Sequence, residues 1–299
     1  MHASERARQA LHPQPPAAVA RVVPVTPDLA SAKPISAKRV IGNTNRLVKI
    51  DQEALRTSGL LPPSGQEHEI ADQYRAIKRP LIQAAFHATE PSEGPLPKVI
   101  MIASALPGEG KTFTGINLAL SMAREKDHSV LLVDGDVAKP HISTLFGVEK
   151  ELGLLDLLSN PELDISSLIL PTDIAGLSIL PAGTRSSGAT ELLASERMAT
   201  VVQQLAALDP GGLVLFDSLP ILLTSESRVL SARMGQIVLV VKAGSTPQQA
   251  VADAIELIGP KRKISLVLNH AELAGPMGYY YGYRYGYQQS AAAGSQSGG

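Results

Sequence analysis

A single loop motif constrains the fold of this chain most strongly. The stretch SALPGEGKT, residues 104–112, follows the apolar run KVIMIA at 98–103 and precedes an amphipathic segment at 112–125. Glycines let successive backbone N–H groups turn toward an anion, and a following helix points its positive end at the same place. The pattern is a phosphate-binding loop of the Walker A type, with Ala105 replacing its first glycine. It predicts that the chain binds a nucleotide.

The loop also assigns roles to its residues. Lys111 is predicted to reach the β- and γ-phosphates, and the Thr112 hydroxyl to bind Mg²⁺. The predicted nucleotide-binding residues are Pro107, Gly108, Glu109, Gly110, Lys111, Thr112 and Phe113. The alternative is an ordinary glycine-rich turn between a strand and a helix.

Carboxylates follow two further apolar runs, LLVDGD at 131–136 and LVLFDS at 213–218. An aspartate at the end of a buried strand is costly unless it is paired, and a Mg²⁺ held by phosphates is a suitable partner. Asp217 is predicted to support the metal in the manner of a Walker B acid. Asp134 and Asp136 project on opposite faces of an extended chain, so one can face the metal while the other accepts a proton.

The residues do not decide which of these two aspartates accepts the proton, and each aspartate has the alternative of capping a helix or turn. The predicted catalytic residues are Lys111, Asp134, Asp136 and Asp217. The predicted metal ligands are Thr112, Asp134 and Asp217. Asn269, which ends the last predicted strand, is predicted to contact the adenine.

Strands and helices alternate from residue 98 onward. Strands are predicted at 99–103, 129–133, 177–180, 213–216, 237–242 and 264–268, and helices at 112–125, 190–208 and 247–258. Nearly continuous Val, Ile and Leu is typical of strands buried on both faces of a parallel sheet. The alternation predicts a doubly wound α/β fold with a mostly parallel sheet, whose ligands lie beyond the carboxyl ends of the strands.

Three regions are predicted along the chain. Residues 1–64 form a basic, Pro- and Ala-rich segment, 65–274 a P-loop domain that opens with a helix at 66–85, and 275–299 a tail. Both termini are expected to be largely disordered because they lack the apolar residues of a core. Within the first segment, residues 47–63 are expected to be ordered, and Pro80 is expected to kink or divide the helix.

The basic character of the N-terminus has two interpretations. Residues 1–50 hold eight Lys and Arg against two acidic residues, which suits either a solvated tail or attraction to an anionic membrane or an acidic partner.

The composition of the whole chain limits the functions that it can have. A net charge of -1 gives no general signal for nucleic acid, and the absence of cysteine excludes disulfides and thiolate chemistry. Without an apolar run of about 18 residues, the chain is expected to be soluble and intracellular.

Six of the seven tyrosines lie within nine residues near the C-terminus. They are Tyr279, Tyr280, Tyr281, Tyr283, Tyr285 and Tyr287. This cluster could be a low-complexity tail, or it could stack on the bases of a nucleic acid. The second interpretation is weakened because Arg284 is the one basic residue among the rings. Beside a nucleotide-binding domain, the phenols are predicted to accept phosphoryl groups. Each phosphate adds about -1.5 to -2 charges and would turn the tail into a polyanion.

Taken together, these motifs resemble those of the bacterial tyrosine kinases, or BY-kinases. The resemblance rests on ASALPGEGKT, LLVDGDVAKP, PAGTRSSGATELLAS and LVLFDSLP, followed by the tyrosine cluster. IGNTNRLVKID and DQYRAIKRPLI resemble the subgroup linked to exopolysaccharide synthesis with exosortase systems. The resemblance implies a P-loop fold of the partition-ATPase type and an ATP- and Mg²⁺-dependent autokinase that phosphorylates its tyrosine cluster in trans.

The resemblance also implies partners. The family's E-x-x-R-x-x-R motif for ring oligomers maps onto Asp72, Arg75 and Lys78, which could equally form a solvated charged stripe. The family works with the cytoplasmic segment of a membrane polysaccharide co-polymerase. That partner would place this chain in the cytoplasm, at the inner face of the plasma membrane. Ala138 departs from the family, where many members carry arginine, and Phe113 replaces a residue that commonly carries a hydroxyl.

Two other functions compete with a kinase. A partition or septum-site ATPase would switch on ATP without modifying tyrosine, but those relatives carry a lysine early in the loop, and residues 104–107 contain none. A non-catalytic tyrosine-rich interaction module would need no Mg²⁺-dependent nucleotide binding.

Overall fold

The structure is a computed structural model that describes residues 20–24, 42, 46–86, 96–260 and 262–271. The tyrosine cluster and most of the basic N-terminal segment lie outside these residues, so the predictions made for them are not addressed by the coordinates.

Nine strands lie within the described residues. In chain order, β1 to β9 are Ala20–Pro24, Arg46–Ile50, Val99–Ser104, Ser129–Asp134, Leu170–Pro171, Leu177–Leu180, Gly212–Asp217, Gln236–Lys242 and Lys263–Asn269. The last seven form one sheet in the order β5-β6-β4-β7-β3-β8-β9, and β1 pairs with β2 in a separate sheet. Within the larger sheet every pair is parallel except β5 with β6. The predicted mostly parallel sheet is confirmed.

Helices cover both faces of this sheet. In chain order, α1 to α10 are Gln52–Thr57, Glu67–Phe86, Lys111–Ala123, His141–Leu145, Leu154–Ser159, Ile165–Leu168, Ala189–Ala194, Glu196–Ala207, Ser225–Ser231 and Gln248–Ile258. Buried side chains of α1 to α4 pack on one face, and those of α5, α7, α8 and α10 pack on the other. The fold is therefore doubly wound, as predicted.

The central strand β3 shows why both faces are covered. All six of its residues are buried. Val99 and Met101 enter the apolar layer beneath α8 and α10, whereas Ile100 and Ile102 enter the layer beneath α2 and α3. Because successive residues of a strand point to opposite faces, a strand buried on both sides must be continuously apolar.

The packed fold reaches back to β2. Val48, Ile50, Leu55 and Leu61 are buried in the layer that contains α2 and α3. Four side chains of residues 46–61 thus contribute to the core, on the N-terminal side of the predicted boundary at residue 64. The expectation of order in residues 47–63 agrees with this arrangement.

Two predicted helices differ from those observed. α2 runs without interruption through Pro80, whose exposed position lets buried Tyr74 and Leu81 hold both halves against the core. The single helix predicted at 190–208 is two helices, because the Ser195 hydroxyl accepts a bond from the Met198 N–H (3.3 Å) and starts α8. None of the described helices has the length and apolar character required to cross a membrane.

Candidate active site

The loop between β3 and α3 has the backbone of a phosphate cradle. Gly108 and Gly110 have φ angles of 74° and 92°, in the left-handed region that favours glycine. A Cβ on Gly110 would also lie 2.0 Å from the side-chain nitrogen of Asn269, so the Asn269 side chain would have to shift if another residue replaced this glycine.

The start of α3 is arranged for an anion. The Thr114 N–H donates to the Gly110 carbonyl at 2.9 Å, and the N–H groups before it belong to the helix end, where no intrahelical partner exists. The first turn of α3 contains no acidic residue. The positive end of the helix dipole is therefore open to a phosphate.

Glu109 braces this loop from within. Its carboxylate is buried and accepts bonds from the Leu106 N–H (2.7 Å) and from the Thr246 hydroxyl. Its backbone carbonyl accepts a bond from the Asn269 side-chain amide at 2.9 Å. The side chain of Glu109 is thus committed to the loop, which leaves only its backbone N–H for the predicted nucleotide contact. Asn269, predicted to contact adenine, is bonded to the loop in this structure.

The carboxyl ends of β4 and β7 bring two aspartates together. Asp134 and Asp217 are register partners on neighbouring strands, and the Gly135 N–H donates to the Asp217 carbonyl at 2.9 Å. Asp217 Oδ2 accepts a bond from the Thr112 hydroxyl at 2.9 Å. Asp134 Oδ2 accepts bonds from the Ser143 N–H (2.7 Å) and the Ser143 hydroxyl (2.6 Å).

Each of these carboxylates keeps one oxygen free. Oδ1 of Asp134 and Oδ1 of Asp217 are buried and have no hydrogen-bond partner among the described residues. A buried carboxylate oxygen without a partner is costly, which indicates that a ligand completes the site.

Burial shifts the acidity of both groups. It raises the pKa of Asp134 to about 7, although the bonds from Ser143 oppose the rise. It raises the pKa of Asp217 to about 6, although the charge of Lys111 and the bond from Thr112 oppose it. A bound cation would favour the ionised form of both carboxylates and so offset the cost of burying their charges.

Asp136 and Lys111 complete the cluster. Asp136 is half-buried and its Oδ1 accepts the Lys139 N–H at 2.8 Å. Burial raises the pKa of Asp136, and the Lys139 N–H and the charges of Lys111 and His141 oppose that rise. Since the Lys111 charge also acts on Asp217, the lysine lies among the predicted catalytic residues.

The donor set fits a magnesium ion that arrives with its nucleotide. No group of three or more His, Asp or Glu side chains in the described part of the chain could hold a metal ion alone. Mg²⁺ in nucleotide sites commonly uses one or two carboxylates together with phosphates and waters. Thr112 and the two free carboxylate oxygens could supply such a set.

The residues predicted for oligomer contacts differ in exposure. Asp72 and Arg75 form an ion pair with each other and are more than half exposed. Lys78 is buried, and its ammonium donates to the Ser121 carbonyl (2.8 Å) and pairs with Glu125 (2.6 Å). The Lys78 charge is therefore used to join α2 to α3 within the same chain.

Two residues that hold predicted site residues were not predicted from the sequence. Ser143 holds Asp134, and its hydroxyl also accepts the Ala182 N–H at 3.0 Å. Thr246 holds Glu109 across 137 residues of sequence. Neither serine nor threonine is distinctive in a sequence, and both contacts depend on how distant segments meet.

Fold and site together define a P-loop nucleotide-binding protein, and a family model described as an AAA domain matches residues 97–259. The chain is 31% identical over 196 residues to the tyrosine-protein kinase YwqD of Bacillus subtilis, covering 64% of this chain and 81% of that protein. The kinase domain of Escherichia coli tyrosine kinase ETK superposes with a TM-score of 0.55 at 26% identity, over 69% of this chain and 78% of that domain.

This chain belongs to the bacterial tyrosine-protein kinases. The predicted family, fold and enzyme class are confirmed. Some relatives are much longer. The match to the putative tyrosine-protein kinase EpsB of Ralstonia nicotianae, at 29% identity, covers 63% of this chain but 25% of that protein.

Proposed function

We propose that this chain is an ATP- and Mg²⁺-dependent autokinase that phosphorylates the tyrosine cluster of a neighbouring copy. The observation that carries the proposal is the pair of free, buried oxygens on Asp134 and Asp217, directly beside the start of α3. This arrangement supplies ligands for a cation at the place where the loop receives phosphates.

Each residue has a defined task in the proposed reaction. When bound with Mg²⁺, ATP supplies the phosphoryl group, so that the bond from its γ-phosphorus to the bridging oxygen breaks as the phenol oxygen bonds to phosphorus. Lys111 and the N–H groups of the loop hold the phosphates. Thr112, Asp217 and the free oxygen of Asp134 would bind the Mg²⁺. The phenol proton passes to whichever of Asp134 and Asp136 does not hold the metal.

The acceptors are the six tyrosines at 279–287, which follow the last described strand in the sequence. Exposed Asp72 and Arg75 support a contact between copies, which would let one tail enter a neighbouring site. The proposed biological role is control of exopolysaccharide synthesis, through the cytoplasmic segment of a membrane co-polymerase. That partner would hold the kinase at the inner face of the membrane.

Mass spectrometry of the full chain after incubation with Mg-ATP tests this function. We expect phosphate on the peptide that carries residues 279–287, with its formation reduced at least 100-fold in Lys111→Met. Lys126→Met is the matched control because Lys126 is exposed, just beyond the other end of the same helix. The measurement is repeated with a co-polymerase cytoplasmic fragment as activator.

Three outcomes would contradict the proposal. Phosphate release without phosphotyrosine, with and without the fragment, would indicate an ATPase switch. Undiminished labelling in Lys111→Met would place the chemistry elsewhere. Absence of label on a Lys111→Met tail, after mixing with a chain that keeps Lys111 but lacks the six tyrosines, would exclude phosphorylation of one copy by another, because labelling of that tail requires transfer between copies.

A further inference from the structure

The outer edge of β9 carries an apolar surface that no described residue covers. β9 is the last strand of the sheet and pairs only with β8 in the described part of the chain. Leu266 and Leu268 are 58% and 62% exposed. They share a face with Ile264, which packs against the core, because alternate residues of a strand point the same way. We call Leu266, Leu268 and the adjoining strand edge the β9 edge.

Such an edge is a template for another strand. Its unpaired N–H and C=O groups can form a ladder with an added segment, and exposed leucines favour apolar side chains opposite them. Natural proteins usually protect edges with charges or proline. Between residues 264 and 268 the β9 edge has neither.

The tyrosine cluster has the alternation of such a strand. Tyrosines occupy the odd positions 279, 281, 283, 285 and 287, whereas the even positions carry Tyr280, Gly282, Arg284 and Gly286. In an extended chain, five phenol rings would therefore share one face. Tyrosine favours strands, but the two glycines weaken the segment on its own, so it needs an existing sheet for support.

We propose that residues 279–287 of the same chain dock on the β9 edge as an additional antiparallel strand, with the five odd-numbered tyrosines over Leu266 and Leu268. The place where the described chain ends supports this occupant. His270 turns the backbone directly after β9 with a φ of 55°. Residues 270–278 then form the connection, and Gly275, Pro276 and Gly278 are turn-forming.

Docking has a consequence that rests on the proposed function. An antiparallel strand would run from the carboxyl end of β9, where Asn269 contacts the loop, toward the opposite end of the sheet. The docked phenols would then lie along the edge and away from the chain's own Lys111. Phosphates would also oppose docking, since each brings about two negative charges onto an apolar surface.

Hydrogen exchange of the full chain without nucleotide tests the docking independently of any kinase activity. In the wild-type chain we expect the amides of 279–287 to exchange at least 10-fold more slowly than an unstructured peptide. Leu266→Lys with Leu268→Lys should return them to the unstructured rate. Leu152→Lys with Leu223→Lys is the matched control, since those leucines are also exposed but lie elsewhere.

A second variant tests the same contact from the other side. Replacing Tyr281, Tyr283 and Tyr285 with serine leaves β9 unchanged and should accelerate exchange of the β9 amides. Exchange of the wild-type tail at the unstructured rate would overturn the proposal. Protection that disappears on dilution would also overturn it, because the occupant would then be a second copy. Absence of phosphotyrosine with Mg-ATP would instead count against the proposed function alone.

Discussion

The ends of β4 and β7 place identical side chains opposite each other but hold them from different sides. Asp217 is bound by one hydroxyl, that of Thr112, from the first turn of α3. Asp134 is bound by both the N–H and the hydroxyl of Ser143, from α4. Asp217 is therefore held from the phosphate side of the site, at the start of α3, whereas Asp134 is held from α4.

The largest expected effect separates the two aspartates by function. Asp217→Asn should weaken Mg²⁺-dependent ATP binding about 10-fold or more, because the lost charge lies beside Thr112 and Lys111. Asp134→Asn should reduce phosphotyrosine formation about 100-fold or more. Its loss of Mg²⁺-dependent ATP affinity should be smaller than that of Asp217→Asn, because Asp134 is held by Ser143 of α4 rather than beside Thr112 and Lys111. Titration with a fluorescent ATP analogue, with and without Mg²⁺, measures the binding.

Asp127→Asn is the control for both variants, because Asp127 is exposed and precedes β4. Equal losses of ATP affinity in Asp134→Asn and Asp217→Asn would contradict the proposed difference between the two aspartates. Such a result would indicate that both hold the metal equally.

The second prediction concerns stability without ligand. With pKa values of about 7 for Asp134 and about 6 for Asp217, the folded protein holds these protons more tightly than the unfolded chain. The free energy of unfolding should therefore fall as pH rises from about 4 to about 7, because the two carboxyl groups ionise more easily in the unfolded chain. Asp134→Asn should stabilise the ligand-free protein at pH 8 by an amount on the order of a few kcal/mol.

Thermal unfolding of both variants between pH 4 and pH 8 measures this effect. The gain should shrink toward pH 4 and should be larger for Asp134→Asn than for Asp217→Asn. A gain that does not change with pH would show that Asp134 does not carry the buried charge.

The third prediction tests the brace on Asp134. Ser143→Ala removes one of its two bonds and leaves the Ala182 N–H without its partner. We expect phosphotyrosine formation to fall about 10-fold, since residues that orient a reactive group commonly contribute that much. Ser129→Ala is the matched control, because this buried serine bonds Asp209 at the other end of β4. A similar loss of activity in both variants would reflect lost stability rather than positioning.

The sequence predicted the strand ends better than the contacts that hold them. Asp134 and Asp217 follow continuous apolar runs, and parallel strands bring such ends to one edge. Ser143 could not be found in this way, because its contact with Asp134 depends on where α4 turns back toward the sheet. The break at Ser195 had a local signal, a serine followed by Glu196 in the first turn, but the helical periodicity of 190–208 obscured it.

The smallest expected effect concerns the brace on the loop side. Asn269→Ala removes the bond to the Glu109 carbonyl, which should weaken ATP binding by about 1 kcal/mol, or roughly 5-fold. Gly110→Ala should cost more, because its Cβ would meet the Asn269 amide and its φ of 92° is unfavourable for alanine.

Combining Gly110→Ala with Asn269→Ala separates these two causes. In the double variant the collision is absent and only the backbone strain remains, so the loss caused by Gly110→Ala should be smaller than in the wild-type background. ATP titration of all four proteins measures the coupling. Strictly additive losses would mean that a side chain at position 110 does not meet Asn269. Of the two proposed supports, only that of Ser143 on Asp134 would then remain.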